Sequence, residues 1–239
     1  MTKTTSNPYR YDRCCPPPEG RIDEQEEYRT LKKYKAYNPK TPIDTLRELA
    51  KDEDFEVRAQ VAENSGIPHD VFVLLSKDKI YEVKQKMLFN PNVPPDVLDT
   101  MARSIHRPEY RNLRVTIARH PCTTTETLDF MSTQVSPSLR RAVAGNPNCL
   151  QYTLTRLAQD SKYDVRRAVI SNTEVTLPVL LTILDYERFN HTPFPRNAII
   201  ELFQHKLLPT AAILVMQTLW PILLENLRNP FRQTRFYLK

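Results

Sequence analysis

A basic residue recurs at one position of a repeated phrase. The stretches "DFEVRAQVAEN" (54–64) and "KYDVRRAVISN" (162–172) are closely similar, and "IYEVKQKMLFN" and "SPSLRRAVAGN" are weaker copies. Arginine and lysine side chains bind carboxylates and phosphates, so a row of them predicts either ion pairs between repeats or a surface for an anionic partner. The row, which we call the basic ladder, is Arg58, Lys84, Arg114, Arg140, Arg166 and Arg196, with Arg141 and Arg167 doubling the charge in two copies.

Two interpretations of the basic ladder remain open. In the structural one, each basic residue bridges to an Asp of its own or of the neighbouring repeat, since Asp52, Asp78 and Asp160 stand six residues before a ladder residue. In the functional one, the ladder follows a phosphate backbone or acidic side chains. Three copies support the functional interpretation, because another residue replaces that Asp: Ser104, Gln134 and Tyr186. Arg114, Arg140 and Arg196 are therefore predicted to lack a local partner.

The phrases belong to a repeat whose period is read from the residue that closes each copy. Asn38, Asn64 and Asn90 are 26 residues apart, His120 follows after 30, and Asn146 and Asn172 follow at 26 each. Asn is expected in the left-handed position that ends a helix, and the Pro that usually follows it prevents continuation. An acidic residue six positions later is expected in the first turn of the next helix, where it complements the dipole: Asp44, Asp70, Asp96 and Glu126.

Apolar residues at helical spacing divide each copy into two short helices. The first helix is predicted from pairs three residues apart and the second from pairs four residues apart, as in Leu46 with Leu49 and Val57 with Val61. Neither helix can bury its apolar side alone, so stacked copies must share a core. The fold class predicted is all-α: an α-solenoid of about six two-helix repeats of 26 or 30 residues with terminal caps.

The repeats divide the chain into three predicted segments. Residues 1–27 are expected to be irregular, 28–205 to form the solenoid, and 206–239 to form an apolar cap with a basic, aromatic tail. Residues 207–224 carry no charge over 18 positions, just the length of a membrane-span candidate. Because Pro209 and Pro221 interrupt the segment, a buried helix is favoured over a membrane helix.

Two copies are four residues longer than the others. The extra residues fall between the two helices, in "SIHRPEY" and "RFNHTPF". Insertions in solenoids map to loops on one face, often the binding face, although a tolerated change of length is the simpler explanation. The candidate binding residues of these insertion loops are His106, Tyr110, Phe189, His191 and Phe194.

Composition and charge limit the other functions. Residues 38–119 carry 13 basic and 13 acidic side chains and 120–195 carry 7 of each, so the net charge of +6 lies near the two ends. Any nucleic-acid site must therefore use one face or the tail. The chain has 3 Gly, and no catalytic motif, metal-binding spacing or cofactor loop is present. Cys14, Cys15, Cys122 and Cys149 form no metal motif, and a reducing, cytoplasmic setting is expected.

The phrases "NPKTPIDTLRELAKDEDFEVRAQVAEN" and "NPNCLQYTLTRLAQDSKYDVRRAVISN" resemble the variant leucine-rich repeat family of bacteria. The resemblance covers about two thirds of the chain and implies a right-handed superhelix in which one helix of each repeat is 3₁₀-like. HEAT repeats are similar more distantly. One type within the family carries an N-terminal iron–sulfur cluster. A four-iron cluster usually needs four thiolates, and this N-terminus offers only Cys14 and Cys15.

The sequence thus predicts a non-enzymatic scaffold without cofactor or metal. Its expected partner is another protein, bound through the concave face or the insertion loops. The alternative is binding of nucleic acid through the basic ladder, and the oligomeric state is left open.

Overall fold

The computed structural model describes residues 24–104 and 110–190, which contain helices and no strands. Most of the helices are short, as the spacing of the apolar residues predicts, and Pro occurs in several of the turns between repeats. The twelve helices are α1 Glu24–Tyr37, α2 Ile43–Leu49, α3 Phe55–Glu63, α4 His69–Ser76, α5 Tyr81–Leu88, α6 Pro95–Ser104, α7 Arg111–Arg119, α8 Thr125–Ser132, α9 Pro137–Ala144, α10 Gln151–Leu157, α11 Tyr163–Ile170 and α12 Leu177–Asn190.

The helices stack in two layers, which confirms the α-solenoid. Odd-numbered helices pack on one another in the order α1, α3, α5, α7, α9, α11, and even-numbered helices from α4 to α12 pack on one another in a second layer. Within each repeat an even helix packs on the odd helix that follows it. The odd layer is the more closely packed of the two, because small residues such as Ala59 and Ala142 are buried there.

The predicted apolar positions form one continuous core. The first helices of successive repeats bury Leu46, Phe72, Leu98, Leu128, Leu154 and Leu180, each at most 2% exposed. The second helices bury Val57, Val83, Leu113, Leu139 and Val165 to the same degree. Since fully burying a side chain of this size stabilises the fold by about 1.5–3 kcal/mol, stacking supplies what an isolated pair of helices lacks.

The Asn residues that close the repeats connect neighbouring repeats. Asn64, Asn90, Asn146 and Asn172 are at most 3% exposed. Each Nδ2 donates to two backbone oxygens of the preceding repeat; Asn90, for example, reaches Ala62 O at 3.0 Å and Asn64 O at 2.9 Å. Its Oδ1 accepts the Asn92 N–H at 3.0 Å. All three hydrogen-bonding sites of the amide are therefore used in the core.

This arrangement corrects the predicted role of the Asn. Asn64 follows α3 with φ −69° and ψ 127°, which is extended backbone rather than the left-handed conformation. His120 has nearly the same dihedral angles, φ −69° and ψ 135°. The residue type is selected because a carboxamide can donate twice and accept once while buried, which no aliphatic side chain can do.

His120 occupies the Asn position in the third joint between repeats and makes fewer bonds. Its Nδ1 accepts the Cys122 N–H at 3.1 Å, so Nε2 carries the proton and donates to Asn90 O at 3.2 Å. His120 therefore donates one hydrogen bond to the preceding repeat, whereas an Asn side chain at this position donates two. Burial lowers the pKa of His120, against the opposite effect of the bond to Asn90 O.

Acid should destabilise the protein through His120. Its folded-state pKa lies below the unfolded value of about 6.5, so as pH falls through that value the unfolded chain takes up the proton first and stability is lost. We expect urea unfolding to show a larger loss of stability between pH 7.5 and pH 5.5 in the native protein than in His120→Asn. Equal losses in the two proteins would contradict this assignment.

Several helix details differ from the sequence predictions. The first helix begins at Glu24, four residues before the predicted start of the solenoid at residue 28. In residues 24–104 and 110–190 both helices of each complete repeat are α-helices, so the expected 3₁₀-like helix is not observed there. The acidic residues do lie in first turns as predicted: Asp44, Asp70, Asp96 and Glu126.

Within the ranges 24–104 and 110–190, every helix is too short or too polar to cross a lipid bilayer. The uncharged segment 207–224 and the rest of the predicted cap lie outside the described residues.

Candidate functional site

The basic ladder joins each repeat to the next one. Arg58 on α3 holds Asp78, at the start of the following odd helix, through Nε at 2.6 Å and Nη2 at 3.2 Å. Arg140 on α9 holds Asp160 in the same way, at 2.5 Å and 3.0 Å. Lys32 on α1 continues the pattern with Asp52 at 2.7 Å. The two Asp side chains held by Arg are only 8% and 7% exposed, so each ion pair is largely withdrawn from water.

Each of these carboxylates also accepts a backbone hydrogen bond. Asp78 Oδ1 accepts the Ile80 N–H at 2.8 Å, and Asp160 Oδ1 accepts the Lys162 N–H at 2.8 Å. Burial by itself raises the pKa of Asp78, but the bonds from Arg58 and from the Ile80 N–H outweigh it and lower the pKa. A ladder carboxylate is therefore fixed by three donors: guanidinium Nε, guanidinium Nη2 and one backbone N–H.

The register of the pairs shows which repeat supplies the Asp partner, its own or the neighbouring one, a point that the sequence left open. The Asp six residues before the ladder residue offers its backbone instead, since Arg58 Nη1 donates to Asp52 O at 2.7 Å. The carboxylate comes from the neighbouring repeat, 20 residues later. Arg140 therefore has a carboxylate partner in Asp160, and the prediction that it lacks a local partner misses this pair.

Three ladder positions face a residue other than Asp. Ser104 stands 20 residues after Lys84, and Lys84 Nζ lies 5.0 Å from the ring centroid of Tyr110. Tyr186 stands 20 residues after Arg166, whose guanidinium lies 5.2 Å from that ring and whose Nη1 donates to Asp160 O at 2.6 Å. An aromatic ring therefore lies close to the cation at two of the three positions.

Arg114 on α7 is the third of these positions, and it differs from the others. Position 134, where the pattern requires Asp, is Gln, and the Gln134 side chain donates instead to Phe130 O at 3.3 Å. Nε and Nη2 of Arg114 are buried, and neither forms a hydrogen bond with a described residue. Burial lowers the pKa of Arg114. Among the described ladder residues, only Arg114 lacks an Asp at the ladder position both in its own repeat, where Ser104 stands, and in the next, where Gln134 stands.

Exposed arginines occur on the same helix as Arg114 and on the two odd helices that follow it. Arg111 and Arg119 on α7 and Arg141 on α9 are exposed and form no ion pair with a described residue. Neither α7 (RNLRVTIAR) nor α9 (PSLRRAVA) contains an acidic residue. Arg167 is exposed on α11, which packs on α9. We call these four residues the arginine surface.

The sequence located only part of this site. Arg141 and Arg167 were candidates as doubled charges, but Arg111 and Arg119 were missed because they lie outside the aligned ladder position. The absence of Asp and Glu from both α7 and α9 was the available signal.

The insertion loops are only partly described. Tyr110 stacks on Tyr81, with ring centroids 6.2 Å apart and planes 7° from parallel. His106, His191, Phe194 and Arg196 lie outside the described residues, and α12 includes position 189 without a described side chain. The binding role predicted for these loops, including Tyr110, therefore stays a sequence prediction.

Cysteine and metal chemistry has little support in the described ranges. No group of three or more His, Cys, Asp and Glu side chains there is placed to hold a metal ion. Cys122 and Cys149 are both free thiols. Burial raises the pKa of Cys149 to about 12, which keeps it protonated and unreactive at neutral pH.

Comparison with solved structures finds the same kind of array. The chain is similar to a protein described as a leucine-rich repeat variant with a novel repetitive structural motif, at 25% sequence identity and a TM-score of 0.53. The match covers 74% of this chain and 66% of that one, so this chain spans just under two thirds of the other protein. No protein-family model and no curated protein matches the sequence.

Proposed function

We propose that this chain, which has the repeat fold of a leucine-rich repeat variant, is a non-enzymatic scaffold that binds an acidic segment of another protein through the arginine surface. The observation that carries the proposal is the one-sided charge of α7 and α9, where exposed Arg111, Arg119 and Arg141 have no acidic neighbour on either helix. Exposed positive charge that forms no ion pair with a described residue favours encounter with an anionic partner.

The charge elsewhere in the array makes this surface distinctive. Several cations outside this surface have a carboxylate close by: Arg47 pairs with Asp70 at 2.8 Å, Lys86 with Glu63 at 2.7 Å and Arg103 with Asp99 at 2.9 Å. Such pairs neutralise the surface that carries them. The anionic partner is therefore expected at α7 and α9 rather than along the whole solenoid.

The insertion between α6 and α7 adjoins the same place. Tyr110 ends this insertion immediately before Arg111, and its ring lies against Tyr81 and Lys84. An aromatic residue beside a cationic surface suits recognition of a peptide that has both acidic and apolar side chains. The loop is therefore proposed as a second contact for the same partner.

Binding of a nucleic-acid backbone is the second candidate function. The arginine surface supports it, because a stripe of arginines on adjacent helices could neutralise successive phosphates. The balanced charge of residues 38–195, with 20 basic and 20 acidic side chains, favours the protein partner. Salt dependence separates the two, since each phosphate contact adds to the slope of affinity against salt.

Charge reversal on the arginine surface tests the proposal. We expect the full chain to bind an acetylated, amidated hexaglutamate peptide, and Arg119→Glu combined with Arg141→Glu to weaken that binding at least tenfold by fluorescence anisotropy. The matched control is Lys77→Glu combined with Lys79→Glu, which makes the same change of charge at exposed residues between α4 and α5.

The control protein should bind the peptide as the native chain does. Equal weakening in both double variants, or no binding by the native chain, would reject the arginine surface as the site. Tighter binding of a twelve-nucleotide oligothymidine with a steep salt dependence would favour the nucleic-acid function instead.

A further inference from the structure

We propose that Arg114, together with the backbone N–H of Ser136, forms a site for one carboxylate of the bound partner, in the position that a ladder Asp occupies between other repeats. The proposal rests on the proposed function, because the carboxylate is taken to belong to the acidic segment held by the arginine surface. It adds one specific contact to that surface: a single acidic side chain inserted between the third and fourth repeats.

The intact ladder positions show what such a site must contain. In both, the carboxylate receives Nε and Nη2 of the Arg and one N–H from the residue two positions after the Asp. This set matches a carboxylate well, because the two guanidinium donors lie side by side and meet its two oxygens in one plane.

The same donors are present at the joint between α7 and α9. Ser136 precedes α9 with φ −69° and ψ 114°, close to the φ −73° and ψ 113° of Asp54, whose N–H bonds to the Asp52 carboxylate at 2.9 Å. The backbone at 136 thus has the conformation that presents its N–H to an acid at position 134. Nε and Nη2 of Arg114 are buried at the same joint, and no described residue accepts a hydrogen bond from them.

Gln134 can be displaced by an incoming side chain. It is half-buried and makes one long side-chain bond, Nε2 to Phe130 O at 3.3 Å. Unlike Asp52, Asp78 and Asp160, it does not accept the N–H two residues later. Leaving this position therefore costs little hydrogen bonding, while an arriving carboxylate gains two buried guanidinium donors and a backbone N–H.

The depth of the site favours a side-chain carboxylate over a phosphodiester. The two ladder carboxylates held by Arg are 8% and 7% exposed, so the occupant of this position lies below the surface. A Glu side chain reaches such a position at the end of a slim, flexible stem. A phosphodiester is held in its chain on both sides and stays at the surface, where Arg111, Arg119 and Arg141 could meet it.

The site can be tested apart from the arginine surface by using a single small anion. Arginine Nε–Hε pairs are resolved in a ¹H–¹⁵N NMR correlation spectrum, and the variant Arg114→Lys assigns the Arg114 signal. Titration of the native full chain with acetate should shift this signal saturably. The shift should be lost in Gln134→Asp, where an internal carboxylate takes the position, and kept in Gln134→Asn, which lacks the charge. Inorganic phosphate should give a smaller shift than acetate.

The hexaglutamate peptide then links the site to binding. Affinity should fall at least tenfold in Gln134→Asp, while Thr133→Asp, which adds the same charge at the adjacent exposed residue, should lose less than threefold. Gln134→Asp should also raise the urea midpoint of unfolding, because it completes the ladder.

Each alternative result has a defined meaning. An acetate shift that is absent, or unchanged in Gln134→Asp, overturns the site and leaves the arginine surface standing if hexaglutamate still binds. A larger effect of phosphate than of acetate overturns the assignment to a carboxylate. A saturable acetate shift without peptide binding supports the site and rejects the proposed function.

Discussion

Replacing Asn90 with alanine should lower the free energy of unfolding by about 3 kcal/mol, the largest loss that we expect from a single polar side chain in this protein. The Asn90 amide is 3% exposed and makes three hydrogen bonds, two of them to backbone oxygens of the preceding repeat. Alanine leaves Ala62 O, Asn64 O and the Asn92 N–H without these bonds inside the core. Chemical denaturation of the two proteins measures the difference.

Asn92, two residues away, provides a matched control. It is exposed, and its Nδ2 makes one bond to the preceding repeat, to Ser65 O at 3.1 Å. Asn92→Ala removes the same carboxamide at the surface, so we expect a loss below about 1 kcal/mol. If both variants lose the same stability, the buried amide is not what joins the repeats.

Removing a ladder carboxylate should have the second largest effect. We expect Asp78→Ala to cost about 2–3 kcal/mol, because Arg58, with its side chain 16% exposed, keeps its charge but loses the partner of Nε and Nη2. The Ile80 N–H loses its acceptor as well. The free energy of unfolding in urea at pH 7 is the measurement.

The exposed pair of Arg47 and Asp70 is the comparison. Its side chains are 46% and 58% exposed, so Asp70→Ala should cost about 0–1 kcal/mol. The double variant Arg58→Ala with Asp78→Ala should lose less than the sum of the two single variants, since the two residues stabilise the fold as a pair. Additive losses would show that Arg58 and Asp78 act independently.

The apolar pattern predicted the fold because its consequences are local. Leu46 and Leu49 share one side of a helix whatever surrounds them, and burying that side requires a neighbouring helix. The partner of each ladder residue was harder to predict for a reason built into the period. In a 26-residue repeat, six residues back and 20 residues forward are the same position of successive repeats. Periodicity alone therefore cannot say which Asp contacts Arg58.

The hydrogen bonds that the Asn side chains make to the preceding repeat also could not be predicted from the repeat pattern. Asn after a helix is compatible with a left-handed cap, and nothing in its own neighbourhood favours the alternative. A sequence signal for these bonds was present in the preceding repeat. In that repeat, an alanine stands two residues before the closing Asn or His. Ala36, Ala62, Ala118 and Ala144 are the residues whose oxygens accept these bonds. Their small side chains let the incoming amide approach the backbone.

The joints around the third repeat have consequences for how the array loses its structure. Ser104 and Gln134 remove the ladder carboxylate on both sides of this repeat, and His120 supplies one bond where Asn supplies two. In a one-dimensional array, the strength of coupling between neighbours sets how many units melt together. The solenoid should therefore unfold as two cooperative blocks separated by a less stable third repeat. Amide hydrogens of α6 and α7 should exchange with solvent before those of α3 and α9.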